Sequence, residues 1–176
     1  MSENISYYRI TNEMGVERTA ICRIGIINED KSVEMIYCNQ NSEPSHQTPI
    51  LLKYYNTAEK VKELVSLGDI QYLGKRIEPT DPEKHSHGKT EPDVVLALRR
   101  DIGCKWGKPV KTLVGLLKTM EDIVIYSHMY LFDSRTNEWL YCEWDGRTWH
   151  FMPFTEPFDE EHLPKGEILF KDLETR

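Results

Sequence analysis

Residues 18–38 read RTAICRIGIINEDKSVEMIYC, and this stretch decides the fold. Its first ten residues place Ala20, Cys22, Ile24 and Ile26 at every second position, which is the pattern of a strand with one buried face. The polar residues 28–31 have the composition of a tight turn, and residues 33–38 form a second apolar run. The stretch therefore predicts an antiparallel β-hairpin.

Two helices are predicted after the hairpin. Thr48 followed by Pro49 is typical of a helix start, because threonine caps the free N–H groups and proline suits the first helical position. A second helix is predicted over residues 58–67, where apolar residues recur at helical spacing and Gly68 stands at the C-terminal end. Both helices are expected to pack on the sheet that contains the hairpin.

The rest of the chain predicts a long polar loop, a short strand, a third helix and a C-terminal meander. Their ranges are 74–92, 94–98 and 112–120, followed by strands over 123–132, 138–144 and 148–152. Strands and helices do not alternate as they do in parallel α/β folds. The sequence therefore predicts an α+β fold with a mainly antiparallel sheet, made of the N-terminal hairpin and the C-terminal meander, with about three helices on one face.

Three regions are expected along the chain. Residues 1–17 are an N-terminal extension, residues 18–152 form a single α+β domain, and residues 153–176 form an acidic C-terminal segment with seven acidic and three basic residues. We interpret the acidic segment as solvating charge in preference to a mimic of an acidic ligand.

Composition excludes several classes of protein. The chain has 176 residues, 39% of them hydrophobic, and a formal net charge of −7. It lacks the long apolar run of a membrane span and the pattern of a signal peptide, so a cytosolic protein without a membrane partner is expected. The negative charge argues against nucleic acid as a partner. No cofactor is predicted.

Several motifs are shared with a known group of proteins. They are the residues 18–21 and 36–38 of the hairpin, the helix pair that ends in Leu67-Gly68-Asp69, and the later pair Arg100-Asp101. In these motifs the chain resembles a family of small uncharacterised bacteriophage and prophage proteins. The resemblance implies a phage accessory protein in the host cytoplasm and implies no particular reaction.

The chain departs from that family's pattern in three places. Residues 39–44 are rich in amides where relatives have aromatic and ionisable residues, and residues 102–104 replace an arginine, a glycine and an acidic residue. The extension over residues 1–17 is the third difference. The first two departures mean that a loop with a function in relatives can have lost it here.

One candidate ligand site follows residue 98. It consists of Arg99, Arg100, Asp101, Lys105, Trp106 and Lys108. Guanidinium groups bind phosphates and an exposed aromatic face stacks on bases, so this segment predicts a site for a small nucleotide-like ligand. The alternative is a solvated turn with an Arg–Asp pair.

A weaker candidate is a metal site at His85 and His87, which are separated by one residue. Glu83, Glu91 or Asp93 would supply the third ligand of a hydrolytic metal centre. A solvated polar loop is the alternative that we favour, because two histidines without a third ligand at fixed spacing are a weak signal.

The C-terminal meander is rich in aromatic residues. Trp139, Tyr141 and Trp149 are candidates for contacts with a partner protein, because Trp and Tyr often anchor such interfaces. Core packing is the alternative. The four cysteines are expected to be reduced core thiols, except Cys104, which lies among cations without a histidine next to it in sequence.

Three functions remain open from the sequence. We expect a non-enzymatic phage protein that binds and inhibits a host protein, plausibly a defence component. A binder or sponge for a small nucleotide is the alternative, and a metal-dependent hydrolase ranks last. The oligomeric state is not predicted.

Overall fold

A computed structural model describes residues 9–11, 17–19, 21–120 and 128–176. Ten strands and four α-helices occur within these ranges. The strands are β1 (Arg9–Thr11), β2 (Glu17–Thr19), β3 (Cys22–Ile27), β4 (Ser32–Cys38), β5 (Ile70–Tyr72), β6 (Leu96–Ala97), β7 (Val110–Leu113), β8 (His128–Asp133), β9 (Glu138–Trp144) and β10 (Trp149–Phe154). The helices are α1 (Pro44–Tyr54), α2 (Ala58–Ser66), α3 (Val114–Leu117) and α4 (Phe170–Thr175).

Eight of the strands form one sheet, and β1 pairs with β2 in a separate ribbon. The order in the large sheet is β10-β9-β8-β3-β4-β5-β6, and β7 also pairs with β4. The predicted hairpin is confirmed as β3 and β4, with Cys22 opposite Cys38. The α+β class is confirmed too. The sheet is mixed, because long connections allow β8 to lie parallel to β3 and β5 parallel to β4.

Helices cover both faces of this sheet, where the sequence led us to expect them on one. The first core lies between the sheet and helices α1 and α2, and the second lies under α3 and α4. Because they are covered on both sides, the central strands β3 and β8 are buried at every residue. The first core includes Ile24, Ile36, Leu51, Val61, Leu64 and Phe132. The second includes Val33, Val114, Leu117, Leu131, Leu140 and Leu173.

The first helix begins earlier than predicted. Pro44 takes the first helical position after the extended residue Glu43, and Pro49 lies inside the helix. Thr48 is buried, and its hydroxyl donates to the carbonyl of Pro44 at 2.8 Å, so it does not cap a helix start. The sequence contains two prolines that suit a first turn, and the structure uses the earlier one.

The second helix matches its prediction closely. Thr57 is the N-cap, and its side-chain oxygen accepts a hydrogen bond from the N–H of Lys60. Val61, Leu64 and Val65 are the buried residues of the helix. Gly68 follows the helix with a φ of +77°, the left-handed conformation that glycine adopts without strain.

The third predicted helix, over residues 112–120, is wrong in its first half. Residues 110–113 form β7, which pairs antiparallel with residues 32–35 of β4, and only the four residues of α3 are helical. Pairing with the free edge of β4 overrides the helical pattern there. The strand predicted over 123–132 is present as β8 from residue 128, and residues 123–127 lie outside the described residues.

The acidic C-terminal segment packs on the domain. Ile168 forms a β-bridge with Phe151, and Leu173 is fully buried in the second core. The carboxylate of Asp133, also fully buried, accepts hydrogen bonds from the guanidinium groups of Arg135 and Arg176. These contacts hold α4 against the turn between β8 and β9.

Candidate functional site

A pocket of about 260 Å³ lies between the segment that follows β6 and the residues at the end of β4 and in β5. We call it the Trp106 pocket. Its lining residues are Asn39, Gln71, His87, Leu98, Ile102, Cys104 and Trp106. They come from four separate parts of the chain, so the fold creates the pocket.

A single π-helical turn over Leu98–Ile102 shapes one wall of the pocket. It ends at Gly103, which has a φ of +85°, and the N–H of Cys104 donates back to the carbonyl of Leu98 at 3.0 Å. The backbone on both sides of Ile102 is therefore fixed by local hydrogen bonds. Single π-helical turns often occur at functional sites.

Asp69 ties both ends of this wall to the sheet. Its carbonyl accepts a hydrogen bond from the N–H of Leu98 at 3.0 Å, and its own N–H donates to the carbonyl of Gly107 at 2.8 Å. Its carboxylate accepts from the N–H of Tyr37 in β4 at 2.9 Å. The segment 98–107 is thus held at its start and at its end by one residue.

This attachment requires glycine next to Asp69. A Cβ atom on Gly68 would lie 2.3 Å from the carbonyl oxygen of Gly107, which is too close for any side chain. The positive φ of Gly68 adds to this requirement.

Burial also affects the charge of Asp69. The residue is 4% exposed, and desolvation raises the pKa of its carboxyl group to about 6, although the hydrogen bond from Tyr37 opposes this shift. A carboxylate is therefore kept under the pocket wall at an electrostatic cost.

Asn39 provides the main polar group of the pocket. The residue is 5% exposed, and its Nδ2 donates to Oε1 of Gln71 at 3.4 Å. Its Oδ1 is buried and has no hydrogen-bond partner among the described residues. Because a buried polar atom without a partner is unfavourable, this oxygen is suited to accept a hydrogen bond from a ligand.

Apolar side chains form the rest of the surface. Trp106 is 38% exposed and Ile102 is 37% exposed, while Leu98 is buried beneath them. A concave apolar site with a few polar groups is the usual form of a small-molecule site.

The predicted cationic site is mostly used for the fold. Arg100 donates to the carbonyls of Ile77 and Val95 at 2.8 and 3.0 Å, and it also pairs with Asp101. Arg99 donates to the carbonyl of Lys105 at 2.7 Å. Both guanidinium groups therefore brace the backbone.

The other members of that predicted site are divided. Asp101 accepts from the N–H of Ala97 at 2.7 Å, which anchors the π-helical turn. Lys105 and Lys108 are exposed, and Trp106 is the only one of the six residues that lines the Trp106 pocket. Binding by these residues stays a prediction.

The predicted metal ligands do not form a metal site. Nδ1 of His85 accepts from the N–H of Glu91 at 3.0 Å, and its Nε2 donates to the carbonyl of Val95 at 2.9 Å, so both ring nitrogens are engaged. His87 lies in an exposed turn and lines the Trp106 pocket. Across the described ranges, no group of three or more His, Cys, Asp or Glu side chains is arranged to hold a metal ion.

The predicted partner-binding aromatic residues are in the cores. Trp139, Tyr141 and Trp149 are 3%, 2% and 3% exposed. Trp139 donates to the carbonyl of Tyr55 at 2.9 Å, and Trp149 donates to the carbonyl of Met120 at 2.8 Å. These residues are therefore not available to a partner at the surface, because the sheet is covered on both faces.

The cysteines behave as the sequence predicted. Cys22, Cys38 and Cys142 are buried free thiols, and Cys104 is half-buried at the Trp106 pocket. Sequence reasoning missed the contributions of Asn39, Gln71 and Leu98 to this pocket. The amide-rich residues 39–41 were a signal for the first of them.

Comparisons with known proteins add no assignment. No family model, curated protein or solved structure matches the chain. The resemblance to phage proteins therefore stays a prediction, and function has to be argued from the pocket.

Proposed function

We propose that this protein binds a small planar ligand in the Trp106 pocket, and that a nucleobase or nucleoside is the class of ligand. The observation that carries the proposal is the buried Oδ1 of Asn39, which has no partner among the described residues and belongs to a pocket-lining side chain. An N–H group on the edge of a base would satisfy it.

The shape of the pocket supports a planar ligand. Its volume of about 260 Å³ suits one ring system, and the indole of Trp106 offers a face on which a base can stack. The amide of Gln71 offers a further donor and acceptor beside Asn39. Such paired amide groups read the edge of a base.

The phosphate of a nucleotide is a smaller part of this proposal than the sequence suggested. Arg99 and Arg100 donate to backbone carbonyls, so their forks are not directed at a ligand. The pocket therefore supports recognition of the base more than recognition of a phosphate.

The test is a thermal unfolding experiment with bases, nucleosides and nucleotides at 1 mM. A ligand with a dissociation constant of about 10 μM would stabilise the fold by about 2.7 kcal/mol and raise the melting temperature by several degrees. Trp106→Ala and Asn39→Leu should lose this shift. Trp144→Ala, which removes an indole from β9, is the matched control and should keep it. An absence of any shift across the panel would overturn the proposal.

Inhibition of a host protein is the second proposed function, for which the exposed aliphatic residues Val110, Leu113 and Leu116 provide support. They are 44%, 54% and 57% exposed and lie on β7 and α3. Exposed apolar patches favour protein contacts. Its test is retrieval of a host protein by the tagged chain, with loss of that protein on Leu113→Glu. The phage origin and a location in the host cytoplasm belong to this proposal; the described part of the chain has no helix long and apolar enough to cross a membrane.

A further inference from the structure

We propose that the Trp106 pocket reacts covalently with its ligand, through addition of the Cys104 thiol to an electrophilic carbon–carbon double bond. The ligand class is a planar conjugated carbonyl compound with an N–H edge. This inference rests on the proposed binding function and adds a reaction to it.

Cys104 differs from the other cysteines by its place in the fold. Cys22, Cys38 and Cys142 are 0% exposed in the two cores, whereas Cys104 is half-buried and lines the pocket. Its N–H is fixed to the carbonyl of Leu98, which holds the residue at the end of the π-helical turn. A ligand in the pocket therefore meets this thiol and none of the other three.

His87 supplies the group that the sequence did not place beside Cys104. The two residues are 17 positions apart, yet both line the same pocket. An imidazole can accept a thiol proton and return it to the product, which is the role of the base in thiol chemistry.

Asn39 is the independent observation that points to a ligand at this thiol. Its buried Oδ1 lacks a partner among the described residues, and Asn39 lines the pocket together with Cys104. A ligand whose N–H binds Asn39 and whose ring lies on Trp106 would present its far edge to the remaining wall, where Cys104 and His87 lie.

The proposed step is a conjugate addition. The thiol proton moves to the imidazole of His87, and the sulfur forms a bond to the β-carbon of the double bond. The π electron pair moves to the α-carbon, which then takes the proton from the imidazolium. One S–C bond and one C–H bond replace the S–H bond and the π bond, so no atom leaves and no oxidant is needed.

The test compares maleimide with N-ethylmaleimide on the folded full chain. Maleimide is a planar conjugated imide with a free N–H, and the ethyl group of its derivative removes that N–H. Adducts are located by peptide mass spectrometry, and each rate is divided by the rate of the same reagent with free glutathione. We expect Cys104 to be the cysteine labelled in the folded state, with a preference for maleimide roughly tenfold greater than that of glutathione, because one satisfied buried acceptor has an effect of this size.

Two variants separate the roles of the residues. His87→Gln should lower the rate at Cys104 with both reagents and keep the preference for maleimide. Asn39→Leu should remove that preference while Cys104 remains reactive. The wild-type comparison needs neither variant, so a failure of Asn39→Leu to fold leaves the test intact.

The inference is overturned if Cys104 shows the same reagent preference as glutathione, or if His87→Gln reacts as fast as wild type. Failure of the proposed binding function is measured separately, on Cys104→Ser by thermal unfolding with the base panel. Binding that persists in Cys104→Ser, together with an ordinary reagent preference in wild type, would reject the covalent step and keep the binding function.

Discussion

Replacing Asp69 by asparagine should stabilise the protein above pH 6 and change how its stability depends on pH. Asparagine has the same shape and keeps an oxygen to accept the hydrogen bond from the N–H of Tyr37, which is 2.9 Å from the carboxylate now. It removes the negative charge that burial disfavours. The backbone hydrogen bonds of Asp69 to Leu98 and Gly107 do not depend on the side chain.

The size of the effect follows from the pKa of Asp69. Burial raises this pKa from the ordinary value of 3.8 to about 6 in the folded state, so between these pH values the folded chain binds a proton that the unfolded chain has lost. The free energy of unfolding of the wild type therefore falls as pH rises through this window, by about 3 kcal/mol in total from this group. Asp69→Asn lacks this contribution and should be more stable than wild type at pH 8 by up to that amount.

Urea unfolding followed by circular dichroism at pH 4 and pH 8 measures the effect. Other carboxylates titrate in the same range, so the informative quantity is the difference between variant and wild type at each pH. The matched control is Asp93→Asn, which changes a carboxylate that is 58% exposed and should show no such difference. A difference between Asp69→Asn and wild type that is equal at both pH values would refute the burial argument.

Two further predictions concern groups that hold the fold. Arg100→Met should lower the free energy of unfolding by about 2–3 kcal/mol in urea titrations, because the carbonyls of Ile77 and Val95 and the carboxylate of Asp101 lose a donor. The control is Lys108→Met, and equal loss in both variants would contradict the bracing role of Arg100. Leu173→Ala should cost about 2–5 kcal/mol, since it leaves a cavity in the second core. An unchanged midpoint for Leu173→Ala would show that the C-terminal segment is not part of the folded domain.

Local patterns predicted the fold where the chain interacts with its neighbours in sequence. The hairpin of β3 and β4 follows from its alternation and turn, and α2 follows from Thr57, its apolar face and Gly68. Prediction failed where distant pairing decides the structure. Residues 110–113 become β7 because the edge of β4 is free to pair with them, which no local pattern contains.

The site was predicted only in part for the same reason. Trp106 was identified because an exposed tryptophan is unusual, but its neighbours Asn39, Gln71 and His87 reach it through the fold. The cations beside it suggested phosphate binding, and the structure instead uses Arg99 and Arg100 on backbone carbonyls. Sequence shows that donors are present, and only the fold shows which acceptors they meet.

The most direct test of ligand binding in the Trp106 pocket is an NMR titration of the labelled protein with nucleobases and nucleosides. The account predicts concentration-dependent shifts of the side-chain amide signals of Asn39 and Gln71 and of the indole N–H of Trp106. The indole signals of Trp139 and Trp149 donate to carbonyls in the cores and should stay in place. Saturating addition of the panel with no change at Asn39 and Trp106, or with changes confined to other surfaces, would contradict the account.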